Sequence, residues 1–289
     1  GIRRGAGKMA EINLAGLKLK NPVMPASGTF GYGVEYADFF DLARLGAIVT
    51  KTITLKPRVG NPMPRLAEVP NGLVNSIGLQ NDGVEYFLKK HLPYLRKIKT
   101  NLIVNIAGET VAEYGKLAKI LDRYKDIDAL EVNISCPNVK KGGMALGSDP
   151  ATTEAVIAAV RKATKKPVIA KLTPNVKDIT VIAKSAASGG ANALSLINTL
   201  VHQAKVPGTQ KIVRGGLSGP TIKPIALQLV SEAVKAVDIP VIGIGGIMNT
   251  NDALEFLNAG AKAVQVGTAN FVNPMTMIEI IEGLKQSYK

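Results

Sequence analysis

Eight short apolar segments recur along this chain, and a segment with helical apolar spacing follows each of them. The strand-like segments are residues 22–27, 47–53, 101–107, 129–135, 167–172, 191–197, 239–244 and 263–267. The helix-like segments are residues 34–45, 82–98, 110–125, 151–164, 177–188, 222–237, 250–259 and 274–286. Parallel strands need helical crossovers and bury both faces, so this alternation predicts a closed (β/α)8 barrel, the TIM-barrel fold. A doubly wound open sheet is the alternative.

Two further segments precede the first strand. Residues 12–20 alternate apolar and polar side chains around a glycine, which predicts a short N-terminal β-hairpin that closes the barrel floor. Residues 1–10 predict a flexible lead-in, and residues 11–289 then form one domain without a linker. A chain of 289 residues that is 46% hydrophobic and 20% charged is large enough to bury the core of such a domain.

Cysteine and histidine usage excludes several kinds of site. With Cys136 as its one cysteine, the chain cannot form an internal disulfide or ligate an iron–sulfur cluster alone, and a reducing cytoplasm is the expected location. His91 and His202 lack ligand spacing, so no metal site is expected. No apolar run reaches the ~18 to 20 residues of a membrane span, so no membrane association is expected.

The chain is strongly basic, with a net charge of +14, which fits an anionic ligand or partner. The lysines are nevertheless spread over predicted helix faces, as at Lys89–Lys90 and Lys165–Lys166, and aromatic residues make up 4% of the chain. Solvated helix surfaces are the ordinary explanation for such charge, so the charge alone identifies no partner, and no nucleic-acid partner is expected.

Polar residues stand at or just after the ends of the predicted strands, where barrel enzymes carry their chemistry. They are Ser27, Lys51, Thr52, Asn105, Asn133, Cys136, Lys171, Asn198 and Thr199. Lys51 and Lys171 interrupt apolar runs, and an unpaired buried charge is costly, so each needs an anionic partner. Either lysine alone could reach water or pair with a carboxylate, but two lysines on one rim, with no acidic residue in their own strands, favour a bound anion.

Glycine-rich turns end the seventh and eighth predicted strands. Gly243–Ile247 and Gly267–Ala269 both lead toward helices, where backbone N–H groups can hold a phosphate. The loops after these two strands are the usual phosphate site of the barrel. Residues 75–81, with Asn133 and Asn198, add amide groups that donate and accept hydrogen bonds, which suits a planar ligand. A dinucleotide-binding fingerprint is absent.

Cys136 follows the fourth predicted strand directly. A thiol in polar, partly accessible surroundings can become reactive, whereas a buried cysteine is an ordinary core residue. The neighbouring rim of lysines and asparagines favours the reactive role. The glycine-rich loop at residues 139–147 is expected to close over the site as a lid, with an ordinary connecting loop as the alternative.

From about residue 11 to the end, the sequence resembles the class 1 dihydroorotate dehydrogenases, FMN enzymes of pyrimidine biosynthesis. The resemblance rests on Ala26–Gly31, Asn75–Asn81, Asn133–Asn138 and the two glycine turns. A cysteine rather than a serine at the base position separates the chain from the quinone-linked class 2 enzymes. Lys56–Pro62 and Gly78–Asn81 are more similar to the NAD-linked subclass 1B than to the fumarate-linked subclass 1A.

This resemblance implies a role for each rim residue. Cys136 would be the base that takes a proton from C5 of dihydroorotate while a hydride leaves C6 for N5 of FMN. The implied substrate-binding residues are Lys51, Asn75, Ser76, Ile77, Gly78, Leu79, Asn133, Asn198 and Thr199. The implied FMN-binding residues are Ser27, Lys51, Thr52, Asn105, Asn133, Lys171, Ile197, Gly219, Gly245, Gly246, Gly267 and Thr268.

The resemblance also implies partners. Subclass 1B enzymes pass electrons to NAD through a second subunit that carries FAD and an iron–sulfur cluster, and this chain has the residues for neither group. A homodimer of catalytic chains joined by two such subunits, a cytoplasmic heterotetramer, is therefore implied. The alternatives are a fumarate-linked 1A enzyme, a tRNA dihydrouridine synthase, which shares an Asn-x-x-Cys-Pro segment, and a non-catalytic barrel that binds a phosphorylated ligand.

Overall fold

The computed structural model describes residues 11–135 and 146–287. Three features of the sequence lie outside this part of the chain: the predicted lead-in at residues 1–10, Cys136, and residues 139–145 of the predicted lid.

The described residues form fourteen strands in three sheets. In chain order they are β1 (Ile12–Leu14), β2 (Leu17–Leu19), β3 (Val23–Pro25), β4 (Ala47–Val49), β5 (Leu66–Val69), β6 (Gly72–Asn75), β7 (Asn101–Ile106), β8 (Ala129–Asn133), β9 (Val168–Lys171), β10 (Ala193–Leu196), β11 (Leu200–Lys205), β12 (Ile212–Ser218), β13 (Val241–Ile244) and β14 (Ala263–Val266).

An eight-stranded sheet forms the barrel, in the order β3, β14, β13, β10, β9, β8, β7, β4. Every neighbouring pair in it is parallel. The first and last strands also meet, because Gly46 N donates to Val23 O at 2.9 Å. A side chain at Gly46 would collide with the backbone carbonyl of Asn21, so glycine permits this close approach. All eight predicted barrel strands are confirmed, each within its predicted segment.

The helices are α1 (Gly83–Tyr86), α2 (Leu92–Leu95), α3 (Val111–Asp122), α4 (Pro150–Ala163), α5 (Ile179–Ser188), α6 (Lys223–Ala236), α7 (Thr250–Asn258), α8 (Ala269–Val272) and α9 (Thr276–Ser287). A π-helical turn, Phe87–His91, joins α1 to α2. The side chains of Thr110, Asp149, Asp178 and Asn249 accept hydrogen bonds from the first turns of α3, α4, α5 and α7, which explains why these helices begin where they do. None of the helices in this part of the chain has the length and apolarity needed to cross a bilayer.

The helix expected at residues 34–45 is a wrong prediction. This segment forms two 3₁₀ turns, Glu35–Asp38 and Leu42–Arg44. Asp41 lies between them in an extended conformation, and its side chain accepts a hydrogen bond from Ala43 N at 2.9 Å. A short acidic side chain that binds nearby backbone in this way competes with helix continuation.

Side chains inside the barrel form an apolar layer below a polar one. The hairpin of β1 and β2 buries Leu14, Leu17 and Leu19 against inward-facing residues such as Ile103 and Ile169, so the predicted closure of the floor is confirmed. Two residues further along the strands, the inward positions are polar. They are Asn105, Glu131, Lys171, Ser195 and, on β14, Gln265. Alternation along each strand sends the intervening residues, such as Leu130 and Val132, into the core beneath the helices.

A four-stranded antiparallel sheet was not predicted. Its order is β11, β12, β6, β5, and it is made from segments that follow the second and sixth barrel strands. The register pairs Gly216 of β12 with Asn75 of β6. The Asn71–Gly72 and Pro207–Gly208 turns are hairpin signals that the sequence carries. This sheet brings two distant loops together beside the barrel mouth.

Candidate active site

A cavity of about 1800 Å³ lies at the C-terminal ends of the barrel strands. The predicted site residues that line it are Ser27, Lys51, Thr52, Asn75, Ser76, Ile77, Gly78, Leu79, Asn133, Lys171, Ile197, Asn198, Thr199, Gly219, Gly245, Gly246, Gly267 and Thr268. Asn105 is fully buried and is not part of this lining. Cys136 lies outside the described residues, but Ser135, the residue before it, lines the cavity.

The four-stranded sheet positions the amide of Asn75. Its Nδ2 donates to Gly216 O on the neighbouring strand at 3.2 Å. A β-carbon at Gly216 would collide with the Thr199 side chain, and one at Gly215 would collide with Asn75 O. The two glycines therefore allow Asn75 and Thr199, which are far apart in sequence, to reach the same wall of the cavity.

Asn133 and Asn198 form a second amide group in the cavity. Asn133 Oδ1 accepts from Ser135 N at 3.1 Å and from Asn198 Nδ2 at 3.4 Å. Asn198 Oδ1 in turn accepts from Thr199 N at 2.8 Å. Below them, the buried Tyr114 hydroxyl donates to Asn133 O at 2.7 Å and fixes the end of β8. These contacts hold the amides in set orientations.

Lys51 supplies a cation to the cavity wall. Burial lowers the pKa of its ammonium, and the nearby charge of Arg65 lowers it further, while Asp82 and Glu35 act in the opposite direction. In residues 11–135 and 146–287, no carboxylate lies within ion-pair distance of Lys51. Lys51 therefore still needs an anionic ligand to pair with its charge.

For Lys171, the expected bound anion is replaced by a carboxylate of the protein itself. Lys171 Nζ lies 3.8 Å from Glu131 Oε1, and both side chains are buried. The carboxylate comes from the adjacent strand β8, paired in register with β9. No acidic residue lies in the lysine's own strand, and the carboxylate becomes its neighbour only through the pairing of β8 with β9.

The glycine turns after β13 and β14 form another part of the cavity lining. Gly245 and Gly246 have φ angles of 127° and 72°, a backbone conformation that only glycine adopts without strain. A β-carbon at Gly246 would lie 2.7 Å from Lys223 Cβ, so backbone is packed tightly here. Nearby, Thr268 Oγ1 donates to Ser218 Oγ at 2.8 Å. A cavity of this size exceeds the ~300 to 1,000 Å³ of a typical single-ligand site, so it has room for a nucleotide-sized ligand beside a small one.

Several polar residues at or below the site were not predicted. Asn175 donates to Thr199 O at 3.0 Å, and Ser218 accepts from Thr268 at the glycine turns. Glu131, Ser195 and Gln265 lie inside the barrel beneath the cavity. Their sequence signal is a polar residue at an inward-facing position of a largely apolar strand. In the described part of the chain, no cluster of residues has the composition of a metal site.

Comparison with known proteins identifies the family. The family model for dihydroorotate dehydrogenase matches residues 9–288. The chain belongs to the dihydroorotate dehydrogenase family. Relatives named dihydroorotate dehydrogenase B (NAD(+)), catalytic subunit, occur in Thermoanaerobacter sp., at 57% identity over 280 residues, with 96% of this chain and 92% of the relative covered. Proteins of the same name in Pelobacter propionicus and Desulforamulus reducens are 55% and 56% identical over 279 residues, with 95% of this chain and 92% of each relative covered.

Membership of the dihydroorotate dehydrogenase family confirms the resemblance drawn from the motifs, including the similarity to the NAD-linked subclass. The dihydrouridine synthase and the non-catalytic barrel are set aside by the match, which extends over nearly the whole chain. The roles of the individual residues remain predictions.

Proposed function

We propose that this chain is the catalytic subunit of an NAD-linked dihydroorotate dehydrogenase, which oxidises dihydroorotate to orotate in pyrimidine biosynthesis. The proposal rests on one observation: three kinds of group line the same cavity. They are Lys51, which has no carboxylate partner among the described residues, a group of oriented amides, and the glycine-rich turns. The names of the bacterial relatives support the NAD-linked subclass.

The substrate is a small planar acid, and the chain offers a partner for each of its parts. Lys51 would pair with the carboxylate, and its pKa, lowered by burial, makes that pairing sensitive to pH. The amides of Asn75, Asn133 and Asn198, with the Thr199 hydroxyl and the backbone of residues 76–79, would bind the ring C=O and N–H groups. These contacts orient the ring and exclude water from its face.

FMN is the proposed cofactor. When bound, it supplies the acceptor for the hydride that leaves C6 of dihydroorotate. Its phosphate would be held by Gly219, Gly245, Gly246, Gly267 and Thr268, and its ring by Ser27, Thr52, Asn133, Ile197 and Lys171, while Lys51 would contact both FMN and the substrate. Asn105 would act from below the cavity through its contact with Glu131.

Cys136 is the proposed base. It directly follows Ser135, which lines the cavity beside Asn133. Its thiol would take the proton from C5 of dihydroorotate as the C5–H bond breaks. An unperturbed thiol has a pKa near ~8.5, so a modest downward shift would give an effective base at neutral pH.

The electron acceptor is proposed to be NAD, reached through a partner subunit with FAD and an iron–sulfur cluster. The word "subunit" in the names of the relatives supports such a partner. We further propose a homodimer of catalytic chains joined by two partner subunits, acting in the cytoplasm.

The test begins with the purified chain and FMN. We expect a yellow protein whose flavin absorbance is bleached by dihydroorotate without oxygen. Cys136→Ser should keep FMN and the fold while bleaching at least tenfold more slowly at neutral pH, with its optimum moved upward. Ser287→Ala, at the exposed end of α9, is the matched control. A chain that binds no FMN would contradict the proposed function, and unchanged bleaching by Cys136→Ser would contradict the base assignment alone.

A further inference from the structure

A buried carboxylate stands inside the barrel beneath the candidate active site. Glu131 has 0% exposure and lies two residues before Asn133 on β8, on the same face of the strand. Two residues of strand span roughly 6.6 Å, so the carboxylate sits one layer below the cavity lining. The roles implied by the resemblance do not include this residue.

Three hydrogen bonds from three other strands fix this carboxylate. Asn105 Nδ2 donates to Oε1 at 2.7 Å, Ser195 Oγ donates to Oε2 at 2.9 Å, and Gln265 Nε2 donates to Oε2 at 2.6 Å. A carboxylate accepts all of these bonds, so the two amides must turn their N–H₂ groups toward it. Their oxygens, Asn105 Oδ1 and Gln265 Oε1, have no partner among the described residues. Glu131 therefore sets the orientation of the whole polar layer.

The same carboxylate faces a buried cation that reaches the cavity. Lys171 is 5% exposed, and its Nζ lies 3.8 Å from Glu131 Oε1. This distance is longer than the ~2.7 to 2.9 Å of a charge-assisted hydrogen bond, so the ammonium is attracted to Glu131 without donating to it directly. The N–H groups of Lys171 thus remain available to a ligand on the cavity side, where Lys171 forms part of the lining.

We propose that Glu131 is a positioning residue that holds Lys171 in place at the cavity wall and keeps the reduction potential of bound FMN low. The inference rests on the proposed function, because it assumes that FMN occupies the cavity. Paired with Glu131, the lysine presents a nearly neutral ion pair to the ring. Without Glu131, the ammonium would lose the partner that holds it back and would shift toward the ring, where its positive charge would favour the reduced flavin, which carries more negative charge.

The reduction potential of FMN in the isolated chain tests the proposal directly. In a dye-coupled dithionite titration, Glu131→Gln should favour the reduced flavin about tenfold, a rise of about 30 mV for a two-electron couple. Asp128→Asn is the matched control, because it makes the same acid-to-amide change just before β8, where Asp128 Oδ2 accepts from Leu102 N at 2.7 Å. Its potential should equal that of the wild type. A Glu131→Gln potential equal to that of the control would overturn the proposal.

A double-mutant cycle tests whether Glu131 acts through Lys171. Lys171→Gln should lower the reduction potential of FMN. When Glu131→Gln is added to the Lys171→Gln chain, the potential should shift by less than a third of the shift that Glu131→Gln causes in the wild-type chain. Equal shifts in the two backgrounds would contradict action through Lys171.

In the FMN-free chain, each single change should lower Tm, while the double change should lower it by less than the sum, because it leaves no buried charge unpaired. Additive Tm changes would also count against the pairing.

Glu131→Asp covers the case in which Glu131→Gln does not fold. It keeps the charge but withdraws it from Lys171 by one methylene, so its potential should lie above that of the wild type by less than about 30 mV. A potential unchanged from the wild type would oppose the proposal. Bleaching of the wild-type flavin by dihydroorotate, measured in parallel, separates the proposed function from the proposed role of Glu131. If the wild-type flavin is bleached but the Glu131 variants show no shift in potential, only the role of Glu131 is refuted.

Discussion

At the scale of single residues, Lys51 is the clearest test of substrate recognition. It lines the cavity as a partly buried cation, and no carboxylate of the described chain pairs with it. Lys51→Gln should weaken orotate binding at least tenfold, since a hydrogen bond to a charged group is worth roughly 1.5 to 3 kcal/mol. Titration of the flavin spectrum with orotate measures this, with the exposed Lys56→Gln as control. Equal affinities for the two variants would refute the role of Lys51.

The pH dependence of orotate binding follows from the same lysine. Burial lowers the pKa of Lys51, so its positive charge is lost at a lower pH than in a free lysine. Orotate remains an anion throughout this range, so its affinity should be highest below the lowered pKa and should fall as pH rises through it. Lys51→Arg, whose guanidinium stays charged, should flatten the dependence. A wild-type affinity that is constant up to pH 10 would be inconsistent with this explanation.

Tyr32 gives a residue-scale prediction about stability. Its ring stacks on His91 with centroids 3.8 Å apart, and burial, aided by the charge of Asp82, raises its pKa from 10.0 to about 12. The unfolded chain therefore ionises first, so the free energy of unfolding should fall as pH rises from 10 toward 12. Tyr32→Phe keeps the ring but cannot ionise. Its free energy of unfolding should therefore fall by about 1 kcal/mol less than that of the wild type over this pH range, after allowance for partial solvent screening.

Urea unfolding at pH 9 and at pH 11.5 measures the effect of Tyr32. The exposed Tyr86→Phe is the control, because Tyr86 lies next to the same histidine, at 5.5 Å. If both variants lose the same stability between the two pH values, the raised pKa of Tyr32 contributes nothing to alkaline unfolding.

Among the secondary-structure elements, the eight barrel strands could be predicted from the sequence, whereas the four-stranded antiparallel sheet was not predicted. Each barrel strand is a nearly continuous apolar run, because both of its faces are buried. β6 and β12 instead contain glycines and polar residues, since one side of their sheet borders the cavity. Glu131 was missed for a related reason. Its partners Asn105, Ser195 and Gln265 come from other strands, and only the register of the folded barrel brings them together.

Gly216 tests how the second sheet shapes the site. A β-carbon there would collide with Thr199, so Gly216→Ala should push β12 away from the cavity wall. We expect at least a tenfold loss of orotate affinity, with Tm lowered by a few degrees. Gly115→Ala is the control: its β-carbon would meet Ala159 O at 3.5 Å, an ordinary contact, in the middle of α3. That variant should gain roughly 0.5 to 1 kcal/mol of stability and bind orotate normally. Normal orotate binding by Gly216→Ala would show that the site tolerates movement of β12.

At the scale of the whole molecule, the question is where the electrons go after the flavin. An iron–sulfur cluster of the common type needs four cysteine ligands, and this chain has one cysteine. The sequence also lacks the glycine fingerprint of a dinucleotide-binding fold. On the roles proposed above, the residues of this chain serve the dihydroorotate half of the reaction, and the NAD half falls to a partner subunit.

The isolated chain should therefore reduce its flavin with dihydroorotate and then stop when NAD is the only acceptor. Stopped-flow absorbance should record one bleaching per flavin, with NADH formation below about a hundredth of the rate seen once the partner subunit is added. A small artificial dye acceptor should restore turnover without the partner, which proves that the dihydroorotate half is intact. Turnover with fumarate would place the chain in the fumarate-linked subclass. Rapid NADH formation by the chain alone would mean that its cavity admits NAD to the reduced flavin, and no partner would then be needed.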